Sequence, residues 1–226
     1  MDVAMAVCEG AMRRMLEELR AGLTENQLWS ILHQTNIAMG GEWIDARLLT
    51  SGPRTNPWYQ ETSDRIIRPR ELVAFDTDLI GPFGYIADVS RTFFCGPGRP
   101  TGKQGDLYKI ACEQLQHNAE LLRPGVSFRE FAEKSRKLAD EFIPNRYVWL
   151  AHGAGMSDEH PTIPYLQDFD KTGYEGVFEE NMVICVESYI GSQYGTEGVK
   201  LEDQFLITAS GPRNLSQFPY DEMLLD

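Results

Sequence analysis

Hydrophobic residues recur at helical spacing over residues 2–21, so this stretch is predicted to form a helix that ends at Ala21-Gly22. A second helix is predicted to begin at Thr24, where Gln27 completes a capping box. The segments ELVAFDTDLI and YIADVSRTFF are rich in β-forming residues and are joined by Gly-Pro-Phe-Gly at 81–84. They are therefore predicted to form a hairpin.

The same order of elements recurs in the second half of the chain. GDLYKIACEQLQHNAELL predicts a helix, and Ser127 with Glu130 predicts a capping box that opens another helix through about Glu141. NMVICVESYIG and GVKLEDQFLIT predict a second long hairpin. LRAGLTENQL at 19–28 matches LRPGVSFREF at 122–131. We therefore predict one α+β domain over residues 1–226, built from two helix–helix–hairpin halves that are related by a pseudo-two-fold axis around a central antiparallel sheet.

Composition excludes several classes of function. The net charge of -13 argues against a nucleic-acid surface, which requires a basic stripe. No apolar run approaches the roughly 18–20 residues of a membrane span, and the first residues lack the layout of a signal peptide. The cysteines show no C-x-x-C pair and carry no functional signal. They are expected to be free buried thiols in a cytoplasmic protein: Cys8, Cys95, Cys112 and Cys185.

Acidic residues within apolar strands are the main chemical signal. They occur at matched positions of the two hairpins, and a histidine lies beside glycines in HGAG. Burying several carboxylates together requires cations or protons to neutralise them. Oxygen donors with one imidazole suit two divalent ions, which can be iron, manganese, cobalt or zinc, about 3.5–4 Å apart. The candidate ligands are Asp76, Asp78, Asp88, His152, Glu187 and Glu202.

Four segments, LVAFDTDLIGPFGYIADVSRTF, AHGAG, MVICVES and GVKLEDQFLIT, resemble the successive metal-ligand motifs of the pita-bread metallopeptidases. That family includes methionine aminopeptidase, aminopeptidase P and prolidase, and creatinase shares its fold. The resemblance implies the pita-bread fold and the ligand order Asp76/Asp78, Asp88, His152, Glu187, Glu202. The chain begins directly in the first helix of that fold. We therefore expect a single catalytic domain without the N-terminal domain of full-length relatives.

The chain departs from the peptidase pattern at positions that handle protons. Trp58, in SGPRTNPWYQ, takes the place of a histidine that the peptidases carry before the first aspartate. Their other proton-handling histidine is met by Glu159-His160-Pro161, which is out of register by one residue. Ser188 replaces a proline after the first glutamate, and Lys200 replaces an arginine before the second. These changes indicate a different reaction on a retained metal centre, unless His160 takes over the missing role.

The D-x-D pair, the loop HGAGMSDE and the upstream YVWLAH are similar to the dimethylsulfoniopropionate lyases of this fold. This resemblance implies a β-elimination that yields dimethyl sulfide and acrylate, with iron as the metal and a homodimer as the assembly. Asp158 is then the expected general base, and Tyr147 is expected to contribute to catalysis. Trp58, Trp149, Tyr147 and His160 are expected to contact the small sulfonium substrate, the aromatic residues through cation–π contacts.

Two alternatives remain open from the sequence. One is an Xaa-Pro dipeptidase or aminopeptidase-type metallohydrolase that uses His160. The other is a non-enzymatic binding protein with the pita-bread fold, which the intact set of metal ligands disfavours.

Overall fold

The computed structural model describes all residues from 1 to 226. Helices and antiparallel strands alternate along the chain. The helices are α1 (Asp2–Glu18), α2 (Glu25–Ala38), α3 (Gly102–Ala119), α4 (Phe128–Lys134), α5 (Leu166–Thr172) and α6 (Glu222–Leu225). The strands are β1 (Trp43–Ile44), β2 (Leu49–Ser51), β3 (Leu72–Phe75), β4 (Leu79–Ile80), β5 (Ile86–Ala87), β6 (Arg91–Phe94), β7 (Trp149–Gly153), β8 (Thr162–Pro164), β9 (Val183–Ile190), β10 (Val199–Thr208) and β11 (Gly211–Asn214).

The order helix, helix, hairpin is confirmed in both halves, and the capping box of Thr24 and Gln27 opens α2. Three helix ends were predicted too late; one of them is that of α3, which ends at Ala119 rather than Leu122. α1 ends at Glu18, because Leu19 has an extended backbone and packs against the buried residues around α1 and α2. α4 ends at Lys134 rather than near Glu141, since the Arg136 N–H donates to Asn118 Oδ1 of α3 (2.9 Å) and draws the chain away. Ser127 caps α4, but Glu130 pairs with Lys134 instead of completing a capping box.

The first hairpin is interrupted where its acidic residues lie. β3 and β6 belong to the sheet β2-β3-β6, whereas β4 and β5 belong to the sheet β1-β4-β5. Between them the Thr77 hydroxyl donates to the Ala87 carbonyl (3.0 Å) and accepts from the Val89 N–H (2.9 Å). Asp78 has a φ of 34°. Asp76 and Asp78 lie in the interruption between β3 and β4, where the left-handed φ of Asp78 bends the chain, so strand alternation does not set their relative directions.

The second hairpin is regular. β9 and β10 lie in the five-stranded sheet β11-β10-β9-β7-β8, in a register that places Glu187 directly opposite Glu202. β7 adds His152 opposite Cys185 of β9. Because neighbouring residues across an antiparallel ladder share a face, these side chains project together. The regular hairpin thus supplies one wall of the candidate site and the interrupted hairpin supplies the other.

Three buried clusters surround this junction. The larger cores contain 26 residues around α3 and β9–β10 and 20 residues around α1 and α2. The third, here called the aromatic cluster, consists of Leu48, Trp58, Ala74, Tyr147 and Tyr189. No helix combines the length and hydropathy that a bilayer crossing requires.

A buried carboxylate ties α2 to the loop that leads to Trp58. Glu25 is fully buried and pairs with Arg54. It also accepts hydrogen bonds from the N–H groups and hydroxyls of Ser51 and Ser63, at 2.7–3.1 Å. This network therefore fixes the start of the loop whose later residues cover the site.

Replacing Glu25 is expected to destabilise the fold strongly. Glu25→Ala should lower the free energy of unfolding by about 3 kcal/mol, because it leaves Arg54 and several buried donors without a partner. Glu17→Ala is the control, since Glu17 forms an exposed pair with Arg14 that is worth less than about 1 kcal/mol. Urea denaturation of both variants measures the difference, and equal losses would contradict the structural role of Glu25.

Candidate metal centre

Five carboxylates and one imidazole converge where the two hairpins meet. Potential ligand atoms of these residues and of Cys185 form three groups. In each group all the atoms lie within 4.8 Å of one another. The groups are Asp88, His152, Cys185 and Glu202; Asp76, Glu187 and Glu202; and Asp76, Asp78 and Asp88. The structure thus brings together all six predicted ligands. All are buried except Asp78, which is half-buried.

His152 is oriented as a ligand. Its Nε2 lies 3.1 Å from Glu187 Oε1, 3.1 Å from Glu202 Oε1 and 3.4 Å from Asp88 Oδ2. Its Nδ1 lies 3.2 Å from the Gly153 carbonyl oxygen, which can accept a hydrogen bond from an Nδ1–H. Such a bond fixes the tautomer that leaves Nε2 free for a metal.

Contacts with the two glutamates favour the protonated form of His152. Burial alone would lower the pKa of His152, but hydrogen bonds to Glu187 and Glu202 raise it well above its usual value. A divalent ion would displace this proton, since a metal ligand must be neutral imidazole.

Lys200 lies on the opposite side of the two glutamates. Its Nζ is 2.8 Å from Asp76 Oδ2, 2.5 Å from Glu187 Oε2 and 2.8 Å from Glu202 Oε2. The lysine side chain is fully buried. Each glutamate therefore directs Oε1 towards His152 and Oε2 towards Lys200. The sequence marked Lys200 only as a replacement; its place two residues before Glu202, on the same strand face, was the available signal.

The carboxylates cannot all ionise without further positive charge. Burial raises the pKa of Asp78 and of Asp88 well above the ordinary value, and it raises the pKa of Glu187 to about 7. Burial would raise the pKa of Glu202 too, but Lys200 and His152 lower it below its usual value. Asp88 Oδ1 is buried without any hydrogen-bond partner. Divalent cations would satisfy this oxygen and relieve the repulsion, so the residues fit a centre for hard-to-borderline metals.

Cys185 also lies in this region, although no role was predicted for it. The cysteines are free and buried, as predicted. Alternation along β9 places Cys185 on the face of Glu187, and its thiol donates a weak hydrogen bond to the Asp88 carbonyl (3.9 Å). Burial raises the pKa of this thiol well above its usual value. The protonated thiol therefore packs beside the centre.

Asp158 lies at the edge of the centre, on the loop after β7. Its Oδ1 is 3.7 Å from His152 Nδ1 and accepts the Glu159 N–H at 3.0 Å. Burial raises the pKa of Asp158 to about 6, although the His152 charge opposes the shift. Asp158 therefore has the partial solvent access and the pKa of a carboxylate that can exchange protons near neutral pH.

The predicted substrate aromatics line a cavity of about 680 Å³ beside the centre, together with Tyr59 and Glu159. Trp58 and Tyr147 are only 7% and 8% exposed. Their ring centroids lie 5.7 and 5.0 Å from Lys200 Nζ, so these rings already contact a cation. Trp149 is half-buried. Tyr59, which the sequence did not single out, is 64% exposed, and its ring lies 6.4 Å from that of Tyr147.

His160 is not brought into this group. Its ring is exposed and stacks on Tyr174, with ring centroids 6.1 Å apart.

The fold and the centre define a class of metalloenzyme that binds divalent metal between two antiparallel hairpins. Residues 1–209 match the model of metallopeptidase family M24, and the chain belongs to that family. Solved relatives share the architecture. Prolidase from Pyrococcus furiosus is 27% identical, with a TM-score of 0.82 over 96% of this chain and 62% of that one.

The similar curated proteins include enzymes of two kinds, a lyase and a dipeptidase. The chain is 40% identical, over its whole length, to the dimethylsulfoniopropionate lyase DddP of Roseovarius nubinhibens, and it spans 52% of the length of that protein. It is 27% identical over 96% of its length to the Xaa-Pro dipeptidase of Pyrococcus furiosus, of which it spans 60%. The chain therefore spans about half the length of the lyases to which it is similar.

The structure predicts opposite effects for two histidine substitutions. His152→Ala removes the one nitrogen donor among buried carboxylates and should lower the content of bound divalent metal after gel filtration to half or less. His160→Ala is the matched control and should leave metal content unchanged, because its ring contacts only Tyr174 among the aromatic residues. Metal analysis of purified protein decides; unchanged metal in His152→Ala would exclude this residue as a ligand.

Proposed function

We propose that this protein is a metal-dependent dimethylsulfoniopropionate lyase. The proposal is supported by the similarity to two lyases of that name, at 40% and 39% identity over the whole chain. Iron as the metal, two ions per centre, a homodimer and a cytoplasmic location belong to the same proposal. The observation that carries the proposal is that the centre has no histidine besides the candidate ligand His152. Asp158, at the edge of the centre, is the available proton acceptor.

The chain has four histidines, and each is accounted for. His152 is directed at the carboxylates. His33 packs edge-on against Trp43, His117 contacts the Lys134 carbonyl oxygen, and His160 stacks on Tyr174. A peptide hydrolase must protonate a leaving amine. None of the three histidines outside the ligand set is placed among the carboxylates to do so.

An elimination from a sulfonium has simpler requirements. The bound metal would supply a Lewis acid that holds the substrate carboxylate and acidifies the adjacent carbon. Asp158 takes the proton from that carbon. The C–H electron pair forms the double bond of acrylate, and the carbon–sulfur bond breaks with its electrons moving to sulfur. Dimethyl sulfide leaves as a neutral molecule and needs no proton donor.

The cavity beside the centre suits the cationic end of such a substrate. Tyr59 and Trp149 offer aromatic faces and Glu159 a carboxylate, and the Arg146 guanidinium, which also lines the cavity, is paired with Asp168. Trp58 and Tyr147 give faces to Lys200, so we assign the contact with the sulfonium chiefly to Tyr59 and Trp149, with Tyr147 closing the cavity.

The reaction is tested by measuring headspace dimethyl sulfide from iron-loaded protein given dimethylsulfoniopropionate, with cleavage of Gly-Pro measured in parallel. We expect dimethyl sulfide and no dipeptide cleavage. Dipeptide cleavage alone would establish a peptidase and refute the lyase. Binding of dimethylsulfoniopropionate without either product would favour a binding protein. The chain should also be assayed within its longer natural protein where one exists, because the related lyases are about twice as long.

Substitution of Asp158 separates a base from a residue that orients His152. Asp158→Asn should lower the elimination rate at least about a thousandfold while metal content stays unchanged, since the amide keeps its shape but cannot accept the proton. Asp170→Asn, on an exposed side chain, should have no effect on either quantity. If Asp158→Asn also loses metal, Asp158 orients His152 as a ligand. If Asp158→Asn stays active, Asp158 is not the base.

A further inference from the structure

The charge of the centre depends on a residue that binds neither metal nor solvent. Five carboxylates surround the ion positions: Asp76, Asp78, Asp88, Glu187 and Glu202. Two divalent ions cancel four of these charges, and neutral His152 cancels none. The ammonium of Lys200 contacts three of the carboxylates and supplies the fifth positive charge.

The position of Lys200 keeps this charge fixed. The ammonium also donates to Ser90 Oγ at 2.7 Å, and the rings of Trp58 and Tyr147 lie on its other side. Lys200 does not line the cavity, whereas both rings do. The ammonium is therefore enclosed between the carboxylates and the two rings, where neither water nor substrate reaches it.

We propose that Lys200 offsets the one ligand carboxylate that two divalent ions leave unbalanced, and thereby allows the loaded centre to accept a substrate that carries a carboxylate. The inference rests on the proposed two-ion centre and deepens the proposed function. Without the lysine, the loaded centre has an excess negative charge that repels the carboxylate end of a zwitterion. Lys200 is thus a positioning and charge-balancing residue, which acts on substrate through the field at the ions rather than by contact.

The test measures binding of a carboxylate without turnover. Propionate is the probe, because it has no leaving group, and its dissociation constant is measured calorimetrically on zinc-loaded protein together with the metal content. Lys200→Met should weaken propionate binding at least about tenfold with two ions per chain retained, since a unit charge a few ångströms away changes the affinity of a small anion by at least that factor. Lys171→Met, on an exposed lysine, should bind propionate as the unchanged protein does.

Two further variants separate charge from packing. Lys200→Arg keeps the charge and should bind propionate within about threefold of the unchanged protein. Asp158→Asn added to Lys200→Met removes one negative charge beside the centre without changing a metal ligand, and should restore part of the lost affinity. If Lys200→Met does not fold, Asp158→Asn alone gives the converse test, because the less negative centre should bind propionate more tightly.

Four results would overturn the inference. They are unchanged propionate affinity in Lys200→Met, equal weakening in Lys200→Arg, loss of an ion from Lys200→Met, and weaker or equal binding in Asp158→Asn. Failure of the lyase proposal is distinguishable from these. If no dimethyl sulfide forms but propionate affinity changes with the charge of the variants as expected, the lyase proposal is wrong. The proposed role of Lys200 in binding a carboxylate ligand then stands.

Discussion

The burial of five carboxylates around one imidazole and one ammonium is the constraint on which the rest of the structure depends. Removing a single ion from water costs several kcal/mol even after the protein relaxes. The centre therefore exists only where cations are supplied from all sides. His152 and Lys200 supply them from the chain, one at each oxygen of Glu187 and Glu202. A divalent ion would replace the proton of His152 and would add further positive charge.

The backbone is organised to hold these groups in fixed positions. β9 and β10 form a regular ladder of backbone hydrogen bonds. The ladder of the first hairpin is interrupted at Asp76–Asp78, where the Thr77 hydroxyl hydrogen-bonds the backbone of Ala87 and Val89 instead. Below the centre, the buried guanidinium of Arg91 donates to the Glu202 and Phe218 carbonyls and pairs with Asp203. Arg91 follows the irregular segment and Glu202 lies on the regular strand. Arg91 therefore joins the two walls at Glu202, one of the two glutamates that contact both His152 and Lys200.

The sequence revealed the parts of the centre that residue type and spacing encode. Acidic residues inside apolar strands are improbable without a cation, so all six candidate ligands could be recognised before their contacts were known. What it did not reveal depends on contacts between distant segments. The early end of α4 depends on Asn118 and the bend at Asp78 depends on Thr77. The contact of Lys200 with Trp58 and Tyr147 joins residues from three separate parts of the chain.

The surroundings of such a centre decide which reaction it performs. Hydrolysis of a peptide needs a group that can deliver a proton to nitrogen, and an indole N–H, as in Trp58, donates hydrogen bonds but does not exchange its proton near neutral pH. The Trp58 ring covers the buried ammonium of Lys200 and brings no titrating group to that side of the centre. These surroundings agree with the proposed elimination, whose leaving group departs without a proton.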